Sequence, residues 1–183
     1  MTIRAILEKD RTASEHLRIN EKKGFKHSLA AFLAHSGDSW FWLVGLSIIW
    51  LWGDPLWHRR ATLLIIGIIA LAFIVLGVKL VVRRRRPAGD WGAIYRITDP
   101  HSFPSGHAAR AMMLAIIACG IGPVWFAIAI LLWSPLVSLA RVAMGVHYLM
   151  DIIGGMVIGF IMGLVILFLQ PTLAILSTFH LFN

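Results

Sequence analysis

Acidic side chains are scarce in this chain: nine Asp and Glu stand against 17 Lys and Arg in 183 residues, for a formal net charge of +8. Charged residues of both signs make up only 14% of the sequence against 58% hydrophobic, and the mean hydropathy is +0.79. Such a chain cannot cover an ordinary soluble domain with polar surface and is expected in a membrane. A single cysteine, Cys119, rules out an internal disulfide; it lies in an apolar run, where a thiol packs as a small hydrophobe. The first 26 residues are too charged to hold the apolar stretch of a signal peptide, so no cleavable signal is expected. No internal repeat is evident, and one bundle is expected. The basic residues gather in the N-terminal segment and at helix ends rather than on a separate soluble domain. That distribution favours an anionic membrane surface or an anionic substrate over nucleic acid as partner.

What is present in abundance is long apolar runs, at roughly residues 39–53, 61–82, 107–121, 124–140 and 152–169. A helix needs about 20 residues to cross about 30 Å of hydrocarbon, and the shorter runs can draw length from their flanks. Five spanning helices are predicted, giving an all-α polytopic bundle over residues 36–183. Residues 1–35 form a separate N-terminal segment: mixed charges with weak apolar periodicity (Ile3, Ile6, Leu7, Leu17), then "HSLAAFLAHSG", which is too short to span and is expected to be interfacial. Trp40, Trp42, Trp50, Trp52 and Trp57 bracket the first span as an aromatic belt. "GDPLWHRR" makes a tight turn before the second span, whose end is set at Pro87. "GIGP" is a short hairpin that makes the third and fourth spans antiparallel neighbours, and Gly155, Gly159 and Gly163 form a close-packing face on the fifth.

Threading these turns through a bilayer brings three polar clusters to one side. Lys79 and Arg86 are seven residues apart, two turns of helix, so both side chains are expected on one face, where they can close on one anion. Lys79 lies four residues deeper than the RRRR run, where a cation needs a partner. In "PSGH", Pro104 suits a first helical turn, the Ser105 and Gly106 amides are then free for an anion at the helix N-terminus, and His107 follows. Arg110, one turn on, is a candidate for the rim rather than for catalysis. In "ARVAMGVHYLMD", His147 and Asp151 are four apart, so on a helix the carboxylate orients one imidazole nitrogen and leaves the other nucleophilic. Arg141 joins them if Gly145 bends the chain.

Three cations, a helix N-terminus, an oriented histidine and a second free histidine fit phosphoryl transfer: His147 attacks phosphorus and His107 protonates the leaving oxygen. No carboxylate pair suited to magnesium stands near them, which favours a scheme without metal or other cofactor. "KLVVRRRRP", "PSGH" and "RVAMGVHYLMD" resemble, in order and spacing, the three signature motifs of the type 2 phosphatidic acid phosphatase family, which shares its core with vanadium haloperoxidases. The resemblance covers roughly residues 36–170. It implies that Lys79, Arg86, Ser105, Gly106 and Arg141 hold phosphate, that His107 is the general acid, and that His147 is the nucleophile with Asp151 as its partner. It also implies a lipid phosphatase acting on phosphatidic acid, phosphatidylglycerophosphate or a prenyl diphosphate.

One departure is Ala140, where the family usually has serine. Another is the count of five spans, where the family commonly has six. In the loop "AGDWGAIYRITDPHSF", Trp91, Tyr95 and Arg96 are candidates for the headgroup. The resemblance implies a site on the non-cytoplasmic face, whereas the N-terminal basic residues favour the cytoplasm under the positive-inside rule; the family's side is the one expected. Two other classes fit the same residues less well: a vanadate-dependent haloperoxidase, associated with larger soluble proteins, and a non-catalytic interaction protein, which would have lost a histidine or arginine from the clusters.

Overall fold

The computed structural model describes residues 2–19, 24–88 and 97–179. Among these the chain forms seven helices: α1 (Ile3–His16), α2 (Phe25–Ser36), α3 (Ser39–Trp52), α4 (Pro55–Val82), α5 (Gly106–Ile121), α6 (Val124–Ala143) and α7 (Leu149–Phe179). The expectation of an all-helical bundle holds. α4, α6 and α7 are long and apolar enough to cross a membrane, while α3 and α5 are shorter apolar helices. These five correspond to the five predicted spans. The second span begins earlier than expected: Asp54 accepts from the Leu56 and Trp57 amides at 2.9 Å each, and Pro55 takes the first helical position. Proline there costs nothing, since the first amides of a helix have no partner within it. Arg59 and Arg60 therefore lie inside α4.

The core is built around α5. Ala108, Ala109, Ala111, Met113, Leu114, Ala115, Ile117 and Ala118 are all buried, as expected of a helix apolar on every side. α4 covers one side of it through Leu64, Ile68, Leu71 and Val75. α7 covers another through its glycines: a Cβ at Gly155 would stand 2.4 Å from the Ser105 carbonyl oxygen, and one at Gly159 would stand 2.0 Å from that of Ala109. A Cβ at Gly163 would meet the Ile116 side chain at 2.6 Å. The close-packing face read from the four-residue glycine spacing is thus the α5 contact, where dispersion between backbones replaces a hydrophobic drive that lipid does not supply.

The tryptophans divide into two groups. Trp40 and Trp52 are exposed, as a belt requires. Trp42 and Trp50 turn inward, donating to the Ser36 carbonyl at 3.0 Å and to the Thr62 hydroxyl at 3.1 Å. Trp57 packs against Phe126 edge to face at 5.7 Å, at the opposite end of the bundle from the helix termini that carry the polar clusters.

The N-terminal helices clasp the bundle at that polar end. α2 packs Ala30 and Ala34 against Ala140, Met144 and Val146 at the end of α6. α1 docks on the start of α7, where the Ser14 hydroxyl accepts from the Leu149 amide at 2.9 Å and Asp10 accepts from the Met150 amide at 3.0 Å. These two amides are among the four that a helix N-terminus leaves unpaired, so α1 caps the start of α7.

The packing makes opposite demands on two glycines. Gly159→Ala forces a methyl into the α5 backbone and is expected to destabilise the protein by about 1–3 kcal/mol, read as earlier thermal unfolding in detergent. Gly77→Ala, whose Cβ meets nothing within 4 Å, is expected to leave the transition in place or raise it.

Candidate active site

Backbone devices, more than helix faces, assemble the site. α4 ends at Val82 rather than at Pro87, because Arg83 adopts a left-handed conformation (φ 50°) with its amide bonded to the Lys79 carbonyl at 3.0 Å. The unbroken helix expected from Lys79 to Arg86 therefore does not form. Instead residues 84–86 run antiparallel to 101–102, tied by the Arg85–His101 bridge and by the Ser102 amide donating to the Arg84 carbonyl at 2.7 Å. This return carries Arg86 back toward Lys79. Both cations bind the same Asp99 oxygen, Arg86 at 2.7 Å. Arg86 also donates to the Asp99 and Val146 carbonyls at 2.6 and 2.9 Å, and its Nη1 lies 3.1 Å from Nε2 of His147.

At the second motif, Ser105 is the N-cap of α5, its hydroxyl accepting from the Ala108 amide at 3.4 Å. Pro104 precedes the cap rather than occupying the first turn. The Ser105 amide donates to the Asp151 carbonyl at 2.9 Å, so it is not available to an anion as the sequence predicted. Ser105 is fully buried and ties α5 to α7, whereas Gly106 and His107 line the cavity described below.

At the third motif, Gly145 (φ +66°) ends α6. The Val146 amide bonds to the Arg141 carbonyl at 3.2 Å and the Gly145 amide to that of Val142 at 2.8 Å, the paired closure that a left-handed residue allows after a helix. The expected bend is present and brings His147 beside Arg141. His147 itself precedes α7, so it and Asp151 do not share a helix face. The Asp151 carboxylate instead accepts from the Tyr148 amide at 2.9 Å and from Arg84 at 2.8 Å. Its nearer oxygen lies 3.5 Å from Nδ1 of His147, longer than an ordinary hydrogen bond. Burial, reinforced by Arg86 and Arg141 and opposed by Asp151, holds the imidazole well below its usual pKa. His147 is therefore neutral, with Nε2 as the acceptor aimed at Arg86.

These groups surround one cavity of about 300 Å³, lined by Lys79, Arg86, Asp99, Gly106, His107, Arg110, Arg141 and His147. Thr98, Ser39 of α3 and Leu71, Ala72, Val75 and Leu76 of α4 complete its wall. The three clusters therefore converge as their spacing predicts. Arg110 does reach the cavity, donating to the Gly37 carbonyl at 3.0 Å and to the Ser39 hydroxyl. Trp91, Tyr95 and Arg96 lie outside the described residues.

Three acids outside the motifs take part, together with Arg84 of the first motif, which had no assigned role. Asp99 balances Lys79 and Arg86; Asp38 bonds Nε2 of His107 at 2.7 Å; Arg84 bridges Asp151 to Asp10 of α1, the latter at 2.7 Å. The signal that points to them is the scarcity of acids itself. A carboxylate at the end of an apolar helix is costly without a cation, so each one there has a dedicated partner.

A protein-family model described as the PAP2 superfamily matches residues 60–174, a stretch that holds all three clusters. The chain belongs to the PAP2 superfamily. An undecaprenyl-diphosphatase from Sulfolobus acidocaldarius is 31% identical over 141 residues, covering 73% of this chain and 65% of that protein. The chain thus spans just under two thirds of the length of this curated relative. Two solved structures share its fold: LpxE from Aquifex aeolicus (TM-score 0.67, 22% identity, 88% of this chain and 93% of that one) and a transmembrane PAP2 type phosphatidylglycerolphosphate phosphatase from Bacillus subtilis (TM-score 0.71, 19% identity, 98% and 90%).

Against the usual PAP2 motif, Ala140 is explained by its neighbours. It packs with Ala30 and Ala34 of α2 and does not line the cavity, so a hydroxyl there would face apolar contacts.

Asp99 occupies donors that a bound phosphate needs. Its own pKa is pushed up by burial and, more strongly in sum, down by the Lys79 bond and the Lys79 and Arg86 charges, leaving it a carboxylate. Asp99→Asn removes that competing charge and is expected to tighten binding of inorganic phosphate about 3- to 10-fold, measured as the phosphate concentration that half-stabilises the protein against thermal unfolding.

Proposed function

We propose that the chain is an integral membrane phosphatase that hydrolyses the phosphate monoester or diphosphate of a lipid through a phosphohistidine on His147. The observation that carries this reading is the cavity: neutral Nε2 of His147, four cations and His107 surround one space. One side of its wall is apolar, Leu71, Val75 and Leu76 running down α4 from Lys79. That wall suits a substrate whose headgroup sits at the end of the bundle while its tail stays in the bilayer. The substrates named for the relatives, undecaprenyl diphosphate and phosphatidylglycerolphosphate, are of this kind, and phosphatidic acid is a third candidate.

In this scheme the substrate's phosphate takes the place of Asp99 on Lys79 and Arg86, and its arrival draws the Arg86 guanidinium off Nε2 of His147. Arg141 and the Gly106 amide complete the neutralisation of the equatorial oxygens, which carry the charge in a phosphoryl-transfer transition state. Nε2 attacks phosphorus, the bond from phosphorus to the leaving oxygen breaks, and His107 gives that oxygen its proton. As positive charge develops on the His147 ring, Asp151 accepts the Nδ1 proton's hydrogen bond. His107, now neutral, then takes a proton from water as the water oxygen attacks the phosphohistidine. The P–N bond breaks and phosphate leaves. Arg84 and the Tyr148 amide hold Asp151 for this task.

Phosphate release in detergent from phosphatidic acid, phosphatidylglycerophosphate and undecaprenyl diphosphate tests the scheme. Activity on at least one of them is expected to be unchanged by EDTA, to fall about 10⁴-fold or more in His147→Ala and about 10²- to 10⁴-fold in His107→Ala. Release that persists in His147→Ala would rule out the nucleophile, and release abolished by EDTA would rule out a scheme without metal.

The proposal places the site on the non-cytoplasmic face of the cell membrane. On a Cys119→Ser background, Ala88→Cys beside the site is expected to react with a membrane-impermeant thiol reagent in intact cells, and Arg59→Cys at the other end of α4 only after lysis. The reverse pattern would place the site in the cytoplasm.

A further inference from the structure

A second carboxylate–histidine pair stands at the same cavity, and its carboxylate comes from outside the three motifs. Asp38 stands between α2 and α3, and its Oδ1 is 2.7 Å from Nε2 of His107. As the N-cap of α3, an aspartate would ordinarily turn back to bond the first amides of its own helix. Asp38 makes no such cap bond. Its carboxylate points instead at His107, with the second oxygen 3.2 Å from Nδ1 of the exposed His35.

The turn that carries Asp38 is fastened from three sides. Trp42 and Trp133 both donate to Ser36, to its carbonyl at 3.0 Å and its hydroxyl at 2.9 Å. Arg110, from the same helix as His107, holds the Gly37 carbonyl and the Ser39 hydroxyl. Gly37 has no room for a side chain: a Cβ there would stand 2.8 Å from Val137 and 3.0 Å from the His107 ring. The turn is therefore pressed onto the imidazole, and the ring's position is set by Asp38.

Charge gives this contact a second role. The guanidiniums of Arg141 and Arg110 line the same cavity as His107, and the Asp38 carboxylate is the opposite charge placed against its ring. A general acid must carry a proton before the leaving oxygen needs it.

We propose that Asp38 is the positioning residue of the general acid: it accepts from Nε2–H of His107, holds the ring against Arg110 and Arg141, and leaves Nδ1 to deliver the proton to the leaving oxygen. The site then uses two Asp–His pairs, Asp151 with the nucleophile and Asp38 with the acid. This rests on the phosphatase reading above.

A tether between α2–α3 and α5 would show the same contact, so the test must separate structure from proton delivery. The nature of the leaving group does this. An alkoxide departing from dioleoyl phosphatidic acid needs a proton, whereas p-nitrophenolate departing from p-nitrophenyl phosphate does not. In Asp38→Asn, which keeps the shape and removes the charge, kcat on phosphatidic acid is expected to fall about 10- to 100-fold with KM nearly unchanged. On p-nitrophenyl phosphate it is expected to fall less than about 3-fold, which also shows that the variant is folded. Asp38→Glu, which keeps the charge, is expected to recover most of the loss on phosphatidic acid, and His107→Ala to show the same contrast between substrates in stronger form.

Equal losses on both substrates in Asp38→Asn, or no loss on either, would overturn the role of Asp38 while leaving His107 in place if its own contrast holds. Absence of the contrast in His107→Ala would instead remove the general acid, and the proposal with it. If the wild type prefers phosphatidylglycerophosphate or undecaprenyl diphosphate, that lipid replaces phosphatidic acid in the comparison, and a wild-type protein that hydrolyses none of the three lipids nor p-nitrophenyl phosphate would remove the phosphatase reading itself.

Discussion

Binding a tetrahedral anion at the end of an apolar bundle requires cations to be gathered where they are hardest to keep. Lys79, Arg86, Arg110 and Arg141 are all buried around one cavity. Like charges held this close in a poorly solvated space repel, and each has left water behind. The arrangement survives because carboxylates are interleaved with them. Asp99 takes Lys79 and Arg86, Asp38 stands by His107 and Arg110, and Asp151 joins Arg84 beside His147. The rest of the architecture can be understood as the means of delivering these acids.

Two of the three arrive on elements outside the helices that carry the cations they serve. Asp38 comes on the turn between α2 and α3, and Asp99 on the segment leading into α5. Asp151 belongs to the first turn of α7, but its orientation depends on Arg84, which is fixed in turn by Asp10 of α1. The N-terminal helices are therefore part of the electrostatic frame, in addition to covering the ends of α6 and α7. With the α7 amides of Leu149 and Met150 given to α1, the start of α5 is the helix N-terminus among these two that remains to face the cavity.

The spans and the three motifs were legible because both rest on strong, local signals. An apolar run of spanning length has little use outside a membrane, and glycines four apart on α7 mean close approach whatever the partner. His107, Gly106, Lys79, Arg86, Arg141 and His147 could be placed on one side by counting turns alone. What the counting could not give was how the residues meet. Arg83 leaves the helix early without a glycine or proline to announce it, so Arg86 reaches the site by a strand-like return rather than along a helix face. Ser105 spends its amide on Asp151, a bond between segments 46 positions apart in the numbering. Asp38, Asp99, Arg84 and Asp10 owe their roles to tertiary pairing, which no window of sequence contains. The same is true of Trp42 and Trp50, which composition assigns to a belt and packing turns inward.

α4 joins two fixed points. Near its start Trp57 is set among Trp125 and Phe126 with Arg60 above its ring, a group suited to the boundary between hydrocarbon and water. Near its end Lys79 reaches the cavity. Twenty-two residues of straight helix separate them, about 33 Å, close to the thickness of the hydrocarbon layer. The helix thus acts as a ruler: in a thinner or thicker bilayer the aromatic end and the cationic end cannot both sit at their boundaries, and the depth at which a lipid headgroup meets the cavity becomes a property of the membrane as much as of the protein.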